Sequence, residues 1–395
     1  MLRQILAVTG INIRAIPQRW TSSLVIVIGL AGVVAVFTAL LAMAGGFENT
    51  LRATGRNDAA IVMRGGSDAE LNSVLDRASD DLIEQAAGIR TGTDGRPEAS
   101  AEMMIIAELM RKDDARPGVS GANVTVRGVE PAGFALRPQL KIVAGRTFTP
   151  GLRELIVGSG LVRQFQGTGV GQTVRMRGTD WTIVGIFAAG DSHDSEMWTD
   201  INVARTTFNR TGSSSVLVAL EGPDGLDRLK ASLAGDPRLT VDVVRERDYF
   251  IGQTRQFRQN IGVLAGVVTI IMGLGAAFAA LNSMYAAVAA RGKEIATLRA
   301  LGFGGAPVAV SVLIESLLLA LIGGVLGALV AYLLFNDLTV STMGQSFTQV
   351  VFDFKVTPQL VQRGLVIAVV IGMVGGLLPA VRAARLPVTT GLREL

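Results

Sequence analysis

The 395-residue sequence contains no cysteine and only one histidine, His193. Without cysteine, the chain has no structural disulfide and no thiolate metal site. A single histidine gives little basis for a Ser-His-Asp triad. The phosphate-binding pattern GxxxxGK[ST] is also missing, since the only Gly-Lys pair, Gly292 and Lys293, is followed by Glu294. The chain therefore does not bind ATP through such a loop.

Four long stretches of the sequence contain one charged residue at most. Leu24 to Ala44, Ile261 to Ala290 and Gly364 to Val381 contain none, and Ala306 to Phe335 contains only Glu315. About 20 apolar residues in a helix cross a bilayer, so each stretch predicts a transmembrane helix. The first stretch exceeds the roughly 7–15 residues of a signal-peptide core, and we interpret it as a retained span.

The predicted fold class is an α-helical membrane protein with four transmembrane helices and an α+β extracytoplasmic domain inserted between the first and second helices. Short β segments punctuated by glycine fill the insertion, and a helix is predicted over Asp68 to Ala87. We expect the insertion to form two lobes. The predicted segments are an amphipathic cytoplasmic helix (1–21), transmembrane helix 1 (22–45), the extracytoplasmic domain (46–258), transmembrane helix 2 (259–290), a cytoplasmic connecting helix (291–305), transmembrane helix 3 (306–335), a short extracytoplasmic loop (336–360), transmembrane helix 4 (361–382) and a cytoplasmic tail (383–395).

Basic residues indicate the orientation, because short cytoplasmic loops are enriched in Lys and Arg. The short loop Asn336 to Gln362 has only Lys355, whereas the other flanking segments contain Arg3, Arg14, Arg19, Arg291, Lys293, Arg299, Arg382, Arg385 and Arg393. Both termini are therefore predicted to be cytoplasmic. Residues 45–260 contain 26 basic and 28 acidic residues, so the basic balance lies at the membrane surface and does not favour nucleic-acid binding.

Two helices are predicted beside the first two spans. Residues 1–21 place Ile5, Val8 and Ile11 or Asn12 on one face, which is typical of an interfacial helix, and Pro17 is expected to separate it from the span. From about Arg245, the chain is helix-compatible and enters the second span without a Gly-Pro break. We predict one continuous helix there.

The turn between the second and third spans predicts a short helix. Glu294 near its start and Arg299 near its end suit the helix dipole, and Gly302 can end it. The pattern alone favours the alternative, a simple interfacial turn, since basic cytoplasmic turns are general. The residues singled out in this turn are Arg291, Lys293, Glu294, Ile295, Leu298, Arg299, Leu301 and Gly302.

Glu315 lies about 13 Å into the third span, where an ionisable group is costly and is expected to face the bundle interior. We favour a structural pair over proton coupling, because no second acidic residue or histidine lies in the spans. Glycines four residues apart predict close helix packing, although glycine is frequent here: Gly262 and Gly266, Gly323 and Gly327, Gly372 and Gly376.

Asp191, His193, Asp194 and Glu196 form a cluster of potential metal ligands. Loops enrich polar residues whatever their function, so we interpret the cluster as a solvated loop after a strand. No metal site is predicted.

Three sets of motifs resemble one family of membrane proteins. The first is Arg291 to Gly302 followed by Glu315 and Gly323-Gly324-x-x-Gly327; the second is the tail Gly375 to Pro387; the third is an outer series that includes Val126-Arg-Gly-Val129 and Gly145-Arg-x-Phe148. Together they resemble the permease superfamily of the macrolide exporter MacB, the lipoprotein-releasing permeases and FtsX. The resemblance extends over nearly the whole chain.

This resemblance implies an ABC transporter permease that transmits motion to its extracytoplasmic domain, with Arg291 to Gly302 as the coupling helix. ATP and magnesium would bind to a separate ATPase subunit present in two copies, because MacB's fused ATPase domain is not found before the first span. A second permease subunit, in a homodimer, is expected, together with a periplasmic adaptor, an outer-membrane channel and membrane lipid. The rival functions are lipoprotein extraction and FtsX-like activation of cell-wall hydrolases.

Overall fold

The computed structural model describes residues 2–15, 20–112, 121–343 and 349–387. The predicted break at Pro17 lies outside these residues. The helices are α1 (Leu2–Ala15), α2 (Trp20–Ala53), α3 (Arg77–Glu84), α4 (Ala132–Ala135), α5 (Ser159–Gln164), α6 (Ile201–Phe208), α7 (Gly225–Ala234), α8 (Glu246–Ala290), α9 (Gly292–Ala300), α10 (Gly305–Phe335) and α11 (Pro358–Arg385). The strands are β1 (Ala59–Arg64), β2 (Ala99–Leu109), β3 (Ala122–Val129), β4 (Lys141–Gly145), β5 (Glu154–Gly158), β6 (Thr173–Met176), β7 (Thr179–Ala188), β8 (Glu196–Asp200), β9 (Ser215–Ala219), β10 (Val241–Arg245), β11 (Thr339–Met343) and β12 (Gln349–Asp353).

The chain divides into two compact units. The helical unit consists of Met1–Gly45, Gln259–Leu338 and Phe354–Leu395. The sheet unit consists of Gly46–Arg258 and Thr339–Asp353. Among the described residues, α2, α8, α10 and α11 are long and apolar enough to cross a membrane, which fits the four predicted spans. The larger segment of the mixed α/β unit falls between the first and second of these helices, as predicted, and the smaller segment, Thr339–Asp353, falls between the third and fourth.

Glycines allow close contacts within the helical unit. A Cβ added at Gly327 would lie 2.4 Å from the Ala31 carbonyl oxygen on α2, and one at Gly323 would lie 2.8 Å from the Val27 carbonyl oxygen. On α11, an added Cβ would lie 2.4 Å from Ala320 at Gly372 and 2.6 Å from Ser316 at Gly376. Any side chain at these positions forces a helix to move.

The third glycine pair of the sequence differs from the other two. A Cβ added at Gly262 or Gly266 on α8 has no described atom within 4 Å. The prediction of close packing is therefore wrong for this pair within this chain. All three pairs have the same spacing in the sequence, so the spacing alone does not show which face of a helix meets a neighbouring helix.

Helix α1 packs in the helical unit through a polar contact. Val8 and Asn12 are buried, and the Asn12 amide donates to the Ser311 hydroxyl of α10 at 2.5 Å. Ile11 is half exposed. The buried face therefore contains Asn12, which the sequence pattern left open as an alternative to Ile11.

The sheet unit contains one ten-stranded sheet in the order β10-β1-β9-β2-β3-β8-β5-β7-β4, with β6 paired to β7. The pairs β3–β8 and β5–β7 are parallel, and the others are antiparallel. Strands from the two ends of the insertion, β10, β1, β9 and β2, are neighbours in this order, and strands from its middle follow them. The antiparallel pair β2–β3 joins the two groups. The division into two lobes stays a prediction.

Two local predictions are corrected in this unit. The helix expected over Asp68 to Ala87 is divided into a 3-10 turn, Glu70–Asn72, and α3, because Leu75 and Ser213 exchange backbone hydrogen bonds of 2.9 Å. The loop expected over residues 336–360 contains the antiparallel hairpin β11–β12. In both places, contacts with distant residues determine the local structure, and a pattern within one segment does not reveal them.

Candidate functional site

The predicted short helix between the second and third spans exists as α9. Gly302 has a φ of +94°, which favours glycine, and its N–H donates to the Arg299 carbonyl at 3.1 Å. The Phe303 N–H donates to the Leu298 carbonyl, also at 3.1 Å. These two bonds form a Schellman motif, which fixes the end of the helix.

The residues singled out in this turn divide into exposed and buried sets. Lys293, Glu294 and Gly302 are exposed, and Leu301 is 73% exposed. Leu298 and Arg299 are half-buried, and Arg299 donates to the carbonyl of Leu386. Only part of α9 is therefore available to a partner.

Arg291 and Ile295 were predicted as residues of the coupling helix, and both are 5% exposed or less. They turn toward the core of the helical unit, where Ile295 packs in its main apolar cluster. Their membership of a coupling helix stays a prediction, but their burial keeps them from the exposed face of the segment. One helical turn separates them, so they share the inner face of the segment.

Arg291 is buried because it pairs with Glu315. Its Nη1 and Nη2 donate to the two Glu315 carboxylate oxygens at 2.9 and 3.1 Å. Both side chains are 5% exposed or less. This bidentate geometry is strong and directional, and removing one partner leaves the other charge buried and uncompensated. The pair connects the start of α9 to the interior of α10.

A cavity of about 390 Å³ lies beside this pair. It is lined by residues of α1, the end of α8, α9 and the start of α10. The walls include Val8, Met284, Val288, Arg291, Lys293 and Val312. Arg291 Nε is buried and has no hydrogen-bond partner among the described residues.

The sheet unit contains a second polar centre that sequence reasoning missed. Arg127 on β3 donates to Glu70 at 2.9 Å, to Glu102 on β2 at 2.8 Å and to Glu196 on β8 at 2.8 Å. All four side chains are at most 9% exposed. We call these four residues the ionic hub. Arg137 also donates to Glu102, at 2.9 Å.

The ionic hub is electrostatically compensated. Burial alone would raise the pKa of the Glu102 and Glu196 carboxyls, but the neighbouring guanidinium groups hold both pKa values below their usual range. Trp198 adds a 2.7 Å hydrogen bond from its indole N–H to Glu196. The sequence does not reveal this centre, because the three carboxylates are 25 to 69 positions from Arg127.

The first turn of α8 contacts the same region of the sheet unit. The Glu70 N–H donates to the Tyr249 hydroxyl oxygen at 3.0 Å, and the Arg56 N–H donates to Glu246 Oε2 at 2.8 Å. Burial raises the pKa of both Tyr249 and Glu246. The hub residue Glu70 is thus connected through its backbone N–H to the first turn of the longest described helix.

The cluster around His193 is not the solvated loop that we predicted. Asp191, His193 and Glu196 are 3%, 1% and 7% exposed. His193 Nδ1 lies 2.9 Å from Asp191 Oδ1; burial opposes the imidazolium, but the carboxylate raises the pKa of His193 overall. The 3-10 turn Ser192–Ser195 directs these side chains inward. Among the described residues, no three His, Asp or Glu side chains are grouped as a metal site.

Several carboxylate side chains, among them Glu84 and Glu130, line a larger cavity of about 840 Å³ in the sheet unit. Burial and, to a lesser extent, the nearby Glu130 carboxylate raise the pKa of Glu84 to about 7. The pKa of Glu130 is also raised, mainly by burial. These carboxyls therefore titrate nearer neutrality than ordinary glutamates.

Comparisons with known proteins agree with the resemblance found in the sequence. The model of the MacB-like periplasmic core domain matches residues 21–235, and that of the FtsX-like permease C-terminal domain matches residues 266–388. The uncharacterized ABC transporter permease YknZ of Bacillus subtilis is 26% identical over 312 residues, which cover 73% of this chain and 75% of that protein.

Macrolide export ATP-binding/permease protein MacB of Bordetella avium is 28% identical over 177 residues, which cover 42% of this chain but only 26% of that protein. Among solved structures, the periplasmic region of MacB from Actinobacillus actinomycetemcomitans aligns with a TM-score of 0.35 at 13% identity. That alignment covers 54% of this chain and 95% of the solved chain.

Proposed function

This chain belongs to the MacB-like and FtsX-like family of ABC transporter permeases, and from that premise we propose that it transmits the energy of ATP hydrolysis on a separate subunit to its sheet unit. The proposal identifies α9 as the coupling helix. The observation that supports it is the division of α9 into an inner face fixed by Arg291 and an exposed face with Lys293, Glu294 and Leu301.

The exposed face has the chemistry of a docking surface. Leu301 is a large apolar side chain, 73% exposed, at the end of a helix that also presents a cation and an anion. Apolar anchors surrounded by polar residues are typical of protein interfaces. The Arg291–Glu315 pair resists rotation of α9, so a force on its exposed face is transmitted to α10 instead of being absorbed locally.

Helix α8 is the proposed mechanical element. It is one helix of 45 residues, as the sequence predicted, and its first turn contributes Glu246 and Tyr249 to contacts in the sheet unit. A helix has a fixed rise of 1.5 Å per residue, so it transmits displacement along its axis well. We propose that two such permeases and two ATPases assemble in a bacterial inner membrane with both termini cytoplasmic.

The proposed cargo is collected outside the membrane and exported with a periplasmic adaptor and an outer-membrane channel. Purification of the tagged chain from its native membrane separates the possibilities. Recovery with an adaptor and channel supports export, whereas recovery of bound lipoprotein supports extraction.

The coupling role is tested by ATP hydrolysis in the purified complex. Glu294→Lys reverses a charge on the exposed face of α9 and is expected to lower permease-stimulated hydrolysis about tenfold or more. Leu152→Asp, at a 51% exposed leucine of the sheet unit, is the control. Unchanged hydrolysis in Glu294→Lys, or recovery of no ATPase with the wild-type chain, contradicts the proposal.

A further inference from the structure

The 3-10 turn Ser192–Ser195 contacts several distant segments of the sheet unit. The Thr54 hydroxyl, directly after α2, donates to the Ser192 hydroxyl at 2.9 Å and accepts from the Ser192 N–H at the same distance. The Val351 N–H of β12 donates to the Ser195 hydroxyl at 2.8 Å. We call Ser192–Ser195 the junction turn, because the end of α2 and the hairpin β11–β12 meet there.

His193 is the residue of the junction turn that contacts α8. Its ring centre lies 6.0 Å from that of Phe250, near the start of α8, and 5.6 Å from that of Trp198 on β8. Its Nδ1 lies 2.9 Å from Asp191 Oδ1, whereas its buried Nε2 has no hydrogen-bond partner among the described residues. The position of this ring therefore depends on one side-chain hydrogen bond and on the charges around it.

The charges that act on His193 are mostly negative. Among the described residues they are the carboxylates of Asp191, Asp194, Glu196 and Glu246 and the guanidinium of Arg137. Burial opposes the imidazolium, but the carboxylates favour it, and the pKa of His193 is raised overall. Arginine stays protonated at every physiological pH, so His193 is the cation of this group that a rise in pH removes.

Loss of the imidazolium leaves buried negative charge. Burial alone would raise the pKa of the Asp191 and Glu196 carboxyls, but neighbouring cations hold both pKa values below their usual range. Glu196 also pairs with Arg127, whereas Asp191 has no charged hydrogen-bond partner except His193 among the described residues. A buried carboxylate that has lost its cation is costly, and the entry of water relieves that cost.

We propose that the junction turn is a pH-sensitive switch, in which protonated His193 holds the start of α8 in the sheet unit and neutral His193 releases it. On deprotonation, water reaches Asp191 and the ring leaves Phe250. The contribution is complete below about 6.5, the pKa of a free histidine, and is lost as the pH rises through the higher pKa of the held form. This switch does not depend on whether α9 docks an ATPase.

The titration of His193 can be followed alone, because it is the only histidine in the sequence. The full-length chain, purified in detergent with a histidine-free affinity tag, is labelled with carbon-13 at the imidazole Cε1 and titrated by NMR. The proposal predicts one transition with a midpoint above 6.5. A signal that does not shift between pH 5.5 and pH 9, or a midpoint below 6.5, overturns it.

A cysteine in place of Thr254 reports the release of α8. Thr254 is 4% exposed and lies one helical turn after Phe250, and the chain has no native cysteine. Its rate of labelling by a water-soluble thiol reagent is divided by that of Arg255→Cys, an exposed neighbour, which corrects for ionisation of the thiol.

The ratio of the two labelling rates is expected to rise about tenfold from pH 6 to pH 8.5, because one pKa unit between the held and released forms changes their populations tenfold. The midpoint of this rise is expected to coincide with that of the histidine signal. A ratio that stays constant while His193 titrates overturns the proposal.

Two variants connect the titration to the release. Asp191→Asn keeps an oxygen that can accept the His193 N–H but removes the charge, and is expected to move both midpoints to lower pH by the same amount. His193→Gln is neutral at every pH and is expected to give a high ratio throughout. Asp227→Asn removes an exposed carboxylate of α7 and should leave both midpoints unchanged.

A merely structural role of this pair gives a different pattern. It would let Asp191→Asn raise the labelling ratio at every pH without moving the midpoint of its rise, and that result overturns the proposal. Retained pH dependence in His193→Gln overturns it too. If His193→Gln does not fold, the midpoints of the wild type and of Asp191→Asn still decide the question.

Discussion

Replacement of Arg127 by methionine tests whether the ionic hub stabilises the sheet unit. Methionine keeps the length of the side chain but removes the guanidinium that donates to Glu70, Glu102 and Glu196. Glu102 keeps Arg137, and Glu196 keeps the Trp198 indole, but Glu70 loses its only charged partner among the described residues.

The expected loss is large because the carboxylates stay buried. Breaking a buried ion pair by removing one partner costs about 3–5 kcal/mol. For a unit of this size, 1 kcal/mol lowers the melting temperature by about 2–4 °C, so a decrease of roughly 6–20 °C follows. The fluorescence of Trp181 and Trp198, both fully buried in the sheet unit, reports its unfolding in the detergent-solubilised full-length protein.

The pH dependence distinguishes uncompensated charge from lost packing. In the wild type, the pKa values of Glu102 and Glu196 are below 4.5, so their contribution is present above that pH and constant from pH 8 to pH 5. Without Arg127, Glu196 loses the guanidinium that does most to lower its pKa, so burial raises that pKa and protonation on acidification restores stability. The difference in melting temperature between Arg127→Met and the wild type should therefore shrink as the pH falls from 8 to 5.

An exposed ion pair provides the matched control. Arg228 donates to Glu221 at 2.6 Å, and both side chains are more than half exposed. Arg228→Met is expected to change the melting temperature little, because water solvates the remaining carboxylate. The reasoning is refuted if Arg127→Met costs no more than Arg228→Met, or if its cost is the same at pH 5 and pH 8.

Two further predictions concern other positions. Glu84→Gln should stabilise the protein at pH 8 by about 1 kcal/mol and lose that advantage by pH 5 in thermal unfolding, since the raised pKa of about 7 makes the wild type lose stability as the pH rises. An equal effect at both pH values contradicts this. Gly327→Ala should cost about 1–3 kcal/mol in SDS-titrated unfolding, whereas Gly262→Ala, which meets no described atom, should not; equal costs refute the packing argument.

The membrane helices were predictable because hydropathy is a property of each segment alone. The absence of charge over Ile261 to Ala290 required a span, and the helix-compatible stretch before it correctly predicted one long α8. The β-hairpin over Thr339–Asp353 was not predictable in this way. Its backbone contacts, such as the 2.8 Å bond from the Val351 N–H to the Ser195 hydroxyl, depend on residues more than 150 positions away.

The polar centres show the same limit. Glu315 was singled out because it is the one charged residue in an apolar helix, but its partner was counted as an interfacial cation. Only the fold brings Arg291, 24 positions earlier, onto Glu315. Arg127 was part of a recognised motif, yet its role required the pairing of β3 with both β2 and β8.

The most direct test of the proposed coupling role is crosslinking from α9. The chain has no native cysteine, so Leu301→Cys and Leu152→Cys each introduce a single reactive thiol at an exposed leucine. A short maleimide-to-amine crosslinker is added to an ATP-hydrolysing preparation from native membranes, and the products are identified by mass spectrometry. The account predicts a crosslink from position 301 to a subunit with a GxxxxGK[ST] loop and none from position 152. An active preparation in which position 301 gives no such crosslink would contradict it.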